Sequence, residues 1–138
     1  MRLRKDRKVE LIGAVPLFAS CSKAELQRIA SLADELDLGE GATLIREGER
    51  GREFLVVVDG TVSVTKHGKT IRELGSGDFI GEIALVSDVP RTATVTATSP
   101  VRLLVVTDRA FRGLVEEMPS IATKVLQSLG ERLHADAV

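Results

Sequence analysis

Gly75-Ser76-Gly77-Asp78-Phe79-Ile80-Gly81-Glu82-Ile83-Ala84-Leu85-Val86-Ser87-Asp88-Val89-Pro90-Arg91-Thr92-Ala93-Thr94-Val95 decides how the chain is read. Glu82 to Leu85 are helix-compatible residues placed just after a glycine, and Pro90-Arg91 leads into a run with the two-residue period of a strand. A single helical turn opening at Gly81 directs the N–H groups of Ile83 and Ala84 outward. Helix starts of this kind attract anions through hydrogen bonding and through the dipole. Nine residues after Glu82, Arg91 returns beside the same turn with a planar fork of donors suited to phosphate oxygens. A carboxylate at Glu82 repels a bare phosphate, so its use lies in accepting a hydrogen bond from elsewhere on the ligand, as from a ribose hydroxyl.

Outward from this stretch the texture is that of a β protein. From Gly39 onward, short apolar runs at 43–45, 54–58, 62–64 and 70–74 are separated by glycine-bearing turns. Asp59-Gly60 predicts a tight hairpin, because both residues tolerate positive φ, and Lys66-His67-Gly68-Lys69 predicts a looser one. Thr92 to Ala97 alternates, and Val101 to Val106 reads as a largely buried strand. About eight strands in two facing layers make a jelly-roll-like β-roll, a double-stranded β-helix. Helices flank it. Residues 7–11 begin one that stops near Gly13 and Pro16. Ser22 with Glu25 forms a capping box for the next, whose stripe of Leu26, Ile29, Ala30 and Leu32 ends around residues 33–36. Asp108 reads as the N-cap of a helix carrying Phe111, Leu114 and Val115. After Pro119, Ile121, Val125, Leu129 and Leu133 form one apolar stripe. The expected layout is a single domain over residues 1–138: helices at 1–36, the β-roll at 39–106 with the anion cradle at 79–95, and a C-terminal helical lid at 108–134.

Gly81-Glu82-Ile83-Ala84-Leu85 followed by Pro90-Arg91-Thr92-Ala93-Thr94-Val95 resembles the phosphate-binding cassette of cyclic nucleotide-binding domains. These occur in bacterial cyclic-AMP receptor proteins, cyclic-nucleotide-dependent kinases and cyclic-nucleotide-gated channels. Gly41, Gly48, Gly60 and Gly77 fall where that family turns its strands, so the resemblance covers roughly residues 10 to 133. One departure is Ile80, where the family usually has a second aromatic. The resemblance implies a ligand site of Gly81, Glu82, Ile83, Ala84, Arg91, Thr92 and Ala93. Glu82 then holds the ribose 2′-hydroxyl, Arg91 binds the cyclic phosphate, and backbone amides near Ile83, Ala84 and Thr92 complete the shell. It also implies a non-catalytic sensor whose C-terminal helices close over the base. The ligand is cyclic AMP or cyclic GMP, since the Thr92 hydroxyl suits a syn guanine but also occurs in domains that prefer cyclic AMP. Each of these residues has a structural use as well: Arg91 as a surface partner of Glu82 or Asp88, Gly81 as a turn, Leu85 as core.

Composition narrows the remaining classes. With 43% hydrophobic and 28% charged residues, 138 residues suffice for one ordinary core. There is no 18-residue apolar run and no apolar segment of a signal peptide, and the single Cys21 has no thiol partner, so a cytoplasmic protein without a membrane span is expected. Residues 1–8 hold five basic and one acidic side chain, leaving an acidic body that argues against a nucleic-acid surface. Only five residues follow Leu133, too few for a helix-turn-helix, so no direct DNA binding is expected of this chain. His67 in a turn and His134 near the end form no metal cluster, and no serine sits in a nucleophile elbow, so no enzyme, metal or cofactor is expected. A protein effector or a second copy of the chain remains as a partner. The competing function is a ligand-independent interaction module of the same fold.

Overall fold

The computed structural model describes residues 2–136, with side chains through Glu131. Leu133 and His134 therefore lie outside the described side chains. Eight strands are present: β1 Asp34–Leu38, β2 Thr43–Ile45, β3 Glu53–Asp59, β4 Val62–Lys66, β5 Lys69–Leu74, β6 Phe79–Ile80, β7 Thr94–Ala97 and β8 Val101–Thr107. They form two antiparallel four-stranded sheets, ordered β1-β8-β3-β6 and β2-β7-β4-β5. This is the mainly β fold that the alternating runs predict. Leu55 and Val57 of β3, Val62 of β4, Val95 of β7 and Leu103 of β8 are buried in one cluster that takes side chains from both sheets.

Four helices complete the described chain: α1 Lys5–Gly13, α2 Lys23–Ser31, α3 Asp108–Glu117 and α4 Ser120–Asp136. Contacts divide the protein into two compact units, residues 34–108 and the helical residues on either side of them. In the helical unit the predicted capping box is present. Glu25 N–H donates to Ser22 Oγ at 3.2 Å, and Ser22 N–H donates to Glu25 Oε1 at 2.7 Å. Phe18, in a 3₁₀ turn at Pro16–Phe18, lies tilted against Phe111 of α3 with ring centroids 5.9 Å apart. Ile121 and Val125 of α4 are buried, as their stripe predicts.

Three local expectations are corrected. The second helix, expected to run to around residues 33–36, ends at Ser31, and β1 begins at Asp34. Asp37 there lies opposite Arg102 of β8, and the guanidinium grips its carboxylate at 2.9 and 3.3 Å, so a cross-strand ion pair offsets the low strand propensity of the acids. Asp59-Gly60 is not a hairpin. Its flanking strands β3 and β4 lie in different sheets, and the positive φ of Gly60 serves the crossing between them. The two-residue hairpin is His67-Gly68, with φ of 51° and 80°, joining β4 to β5. Asp108 is the first residue of α3 rather than its cap.

Candidate functional site

The Gly81 stretch takes the conformation its sequence requires. Gly81 adopts φ 78°, ψ 26° and caps a 3₁₀ turn at Glu82–Leu85. That left-handed backbone disfavours any side chain, and a Cβ there would collide with Nη1 of Arg91. Ala84 and Leu85 are buried beneath the turn, whereas Ile83 is 39% exposed. The Ala84 N–H, expected to point outward unpaired, instead donates to the Gly81 carbonyl at 3.1 Å, because a 3₁₀ turn closes one residue earlier than an α-turn.

Arg91 is fixed by a second segment, the loop between β2 and β3. Arg91 N–H donates to the Glu49 carbonyl at 2.7 Å, Gly48 N–H donates to the Arg91 carbonyl at 2.9 Å, and Arg50 forms a β-bridge with Pro90. Farther along, Glu47 N–H donates to Thr94 Oγ1 at 3.0 Å. The strand expected over residues 92–97 begins only at Thr94, and this pairing holds Thr92 and Ala93 out of the sheet ladder. At the far end of the side chain, Arg91 Nη2 donates to the Glu53 carbonyl. Asp88, a candidate partner for Arg91, is taken by Arg50 at 3.1 Å. Among the described residues no carboxylate forms an ion pair with Arg91. Burial holds its guanidinium below the ordinary arginine value, and the Glu53 carboxylate acts in the opposite direction. The side chain is therefore a partly desolvated cation with donors to spare.

All seven residues singled out in the sequence, Gly81, Glu82, Ile83, Ala84, Arg91, Thr92 and Ala93, line one cavity of about 530 Å³. Apolar side chains of Ile45, Val64, Leu74 and Val95 line it too, as do Ile71 and Arg72 of β5. Ile80 belongs to the cavity wall and also packs on the core cluster, so the aliphatic side chain fills an inward position. A cavity lined by apolar side chains and by arginine suits a flat ring system carrying a phosphate. Sequence reasoning missed Gly51, Glu53 and Arg72. Glu53 acts through a carbonyl that every residue type carries, and Gly51 was hidden among many glycines. Among the described residues there is no group of three potential metal ligands.

A family model for the cyclic nucleotide-binding domain matches residues 35–118. The chain belongs to the cyclic nucleotide-binding domain family. It is 40% identical over 136 residues to a cAMP-dependent protein kinase regulatory subunit of Mycosarcoma maydis, covering 89% of this chain and 26% of that protein. It is 36% identical to a cyclic nucleotide-gated potassium channel of Rhizobium etli, covering 91% of this chain and 35% of the channel. The chain thus spans about a third or less of these curated relatives. Among solved structures, the N-terminal domain of a transcriptional regulator from Streptomyces coelicolor superposes with a TM-score of 0.84 at 28% identity, covering 91% of this chain and 94% of that one. These relatives are regulatory and channel proteins, and no catalytic family is indicated. Among the described residues no helix is long and apolar enough to cross a membrane.

Proposed function

We propose that this domain is a non-catalytic sensor that binds cyclic AMP in the 530 Å³ cavity and passes the bound state on through its C-terminal helices. The observation that carries the proposal is the seat of Arg91: a half-buried guanidinium, without an ion pair among the described residues, held by backbone at a cavity with a largely apolar lining. Burying a cation this way costs free energy that an incoming anion recovers. The cyclic phosphate supplies that anion to Arg91 beside the turn at Gly81, Glu82 accepts from the ribose hydroxyl, and the base lies along Ile45, Val64 and Val95. The kinship with a kinase regulatory subunit named for cyclic AMP supports this choice of base. Transmission requires that the ligand favour one of two helix arrangements over the other. A cytoplasmic setting and a protein effector, or a second copy of the chain, complete the proposal.

Arg72 favours a second reading for the base. It lines the cavity, and an arginine fork matches the paired O6 and N7 acceptors of guanine better than the donor and acceptor edge of adenine. Calorimetric titration of the nucleotide-stripped protein with cyclic AMP and with cyclic GMP tests both. Tighter binding of cyclic AMP supports the first reading, and tighter binding of cyclic GMP the second. No saturable heat with either would leave the ligand-independent interaction module as the better description.

A further inference from the structure

Gly51 is buried in the loop before β3, and its backbone lies outside the positive-φ region that six other glycines occupy. No turn geometry therefore requires glycine there. At such a position alanine ordinarily stabilises a protein, because it restricts the unfolded chain at no cost to the folded one. What a methyl group would meet is Arg91: a Cβ on Gly51 would stand 3.0 Å from Nε and 3.1 Å from Cζ, with Ala84 Cβ at 3.2 Å. These separations are inside ordinary carbon contact distance.

We propose that Gly51 is a positioning residue for the anion-binding arginine. It forms one wall of a slot that sets where the guanidinium presents its donors. The second wall is Gly81, whose absent side chain makes room for Nη1, and the floor is the Glu53 carbonyl, which accepts from Nη2. The Gly51 wall and the Arg91 backbone are not free to withdraw. Gly51 N–H donates to the Val89 carbonyl at 3.4 Å, the Arg50–Pro90 bridge pins the adjoining residue, and Arg91 N–H is tied to Glu49. A methyl at Gly51 thus displaces the guanidinium by a few tenths of an ångström, which strains its bond to Glu53 and shifts the donors it presents to the cavity. The inference rests on Arg91 being the phosphate ligand, but the slot itself is testable without ligand.

The test is a two-by-two set: the whole chain, Gly51→Ala, Arg91→Ala and the double variant, each melted without ligand, with the first two titrated with cyclic AMP. Gly51→Ala alone should melt no higher than the parent and bind cyclic AMP at least tenfold more weakly. On the Arg91→Ala background the same change should shift the melting temperature about 1–4 °C more favourably than it does in the parent, since the approach to Ala84 Cβ is then all that opposes the backbone gain. Should Gly51→Ala fail to fold, recovery of folding in the double variant supports the slot, and its absence overturns it. Equal melting shifts on both backgrounds, or parental cyclic AMP affinity in Gly51→Ala, would also overturn it. Lack of cyclic AMP binding by the parent contradicts the ligand reading, and the ligand-free melts still decide the slot.

Discussion

At the residue scale the chain separates an arginine made available from a cysteine made inert. Arg91 has its backbone tied to one loop and its guanidinium to one carbonyl, which leaves the remaining N–H groups to the cavity. Arg91→Lys keeps the charge and loses the fork, so it should bind cyclic nucleotide more weakly than the parent in the same titration. Cys21 shows the opposite treatment. Burial first, and then the nearby Glu25 carboxylate, push its thiol up to about 11. The thiolate is the reactive species, so iodoacetamide should modify the native protein at pH 8 far more slowly than the denatured one. Comparable rates in both states would contradict the described environment. Ser22 and Glu25 were legible from spacing alone, because a capping box is a local contract between four residues. Gly51 was not, since what it accommodates lies forty residues away in sequence.

At the element scale, caps and turns carry predictions with a sign. The Glu25 carboxylate is held below its ordinary value by hydrogen bonds from Ser120 and from the Ser22 backbone, outweighing burial. A carboxyl depressed in the folded state contributes stability in full above the unfolded value, and that contribution fades as pH falls through the folded value. The stability gap between the parent and Glu25→Gln, read from urea melts, should therefore be constant near neutrality and shrink as pH drops below about 4.5. Ser22→Ala should cost about 0.5–2 kcal/mol in the same melts. Gly60→Ala should cost more than Gly68→Ala. Both glycines have positive φ, but a Cβ at Gly60 would run into the Pro100 carbonyl, while at Gly68 it would meet nothing within 4 Å. The same pair shows where local signals stop. Asp59-Gly60 and His67-Gly68 both announce a reversal with positive φ, yet only pairing across the molecule decides that one crosses between sheets and the other closes a hairpin. β1 was illegible for a related reason, because its acids read as a helix tail until Arg102 is placed opposite Asp37.

At the scale of the whole molecule, ligand binding and stability are one measurement seen twice. A ligand that binds only the folded state adds about 2.7 kcal/mol at a hundredfold excess over Kd, so cyclic nucleotide should raise the melting temperature by several degrees. The strand content and the two layers were readable because each apolar run carries its own period. The pairing order was not, since eight strands permit many antiparallel arrangements. Membership of the cyclic nucleotide-binding domain family fixes the fold. The site itself rests on one cation in one cavity. Calorimetric titration of nucleotide-stripped parent and Arg91→Ala with cyclic AMP addresses it directly. The parent should show saturable one-site binding, weakened in the variant by about 2–5 kcal/mol, roughly thirtyfold to several thousandfold. Equal affinity in the two proteins would contradict the assignment of Arg91 as the phosphate ligand.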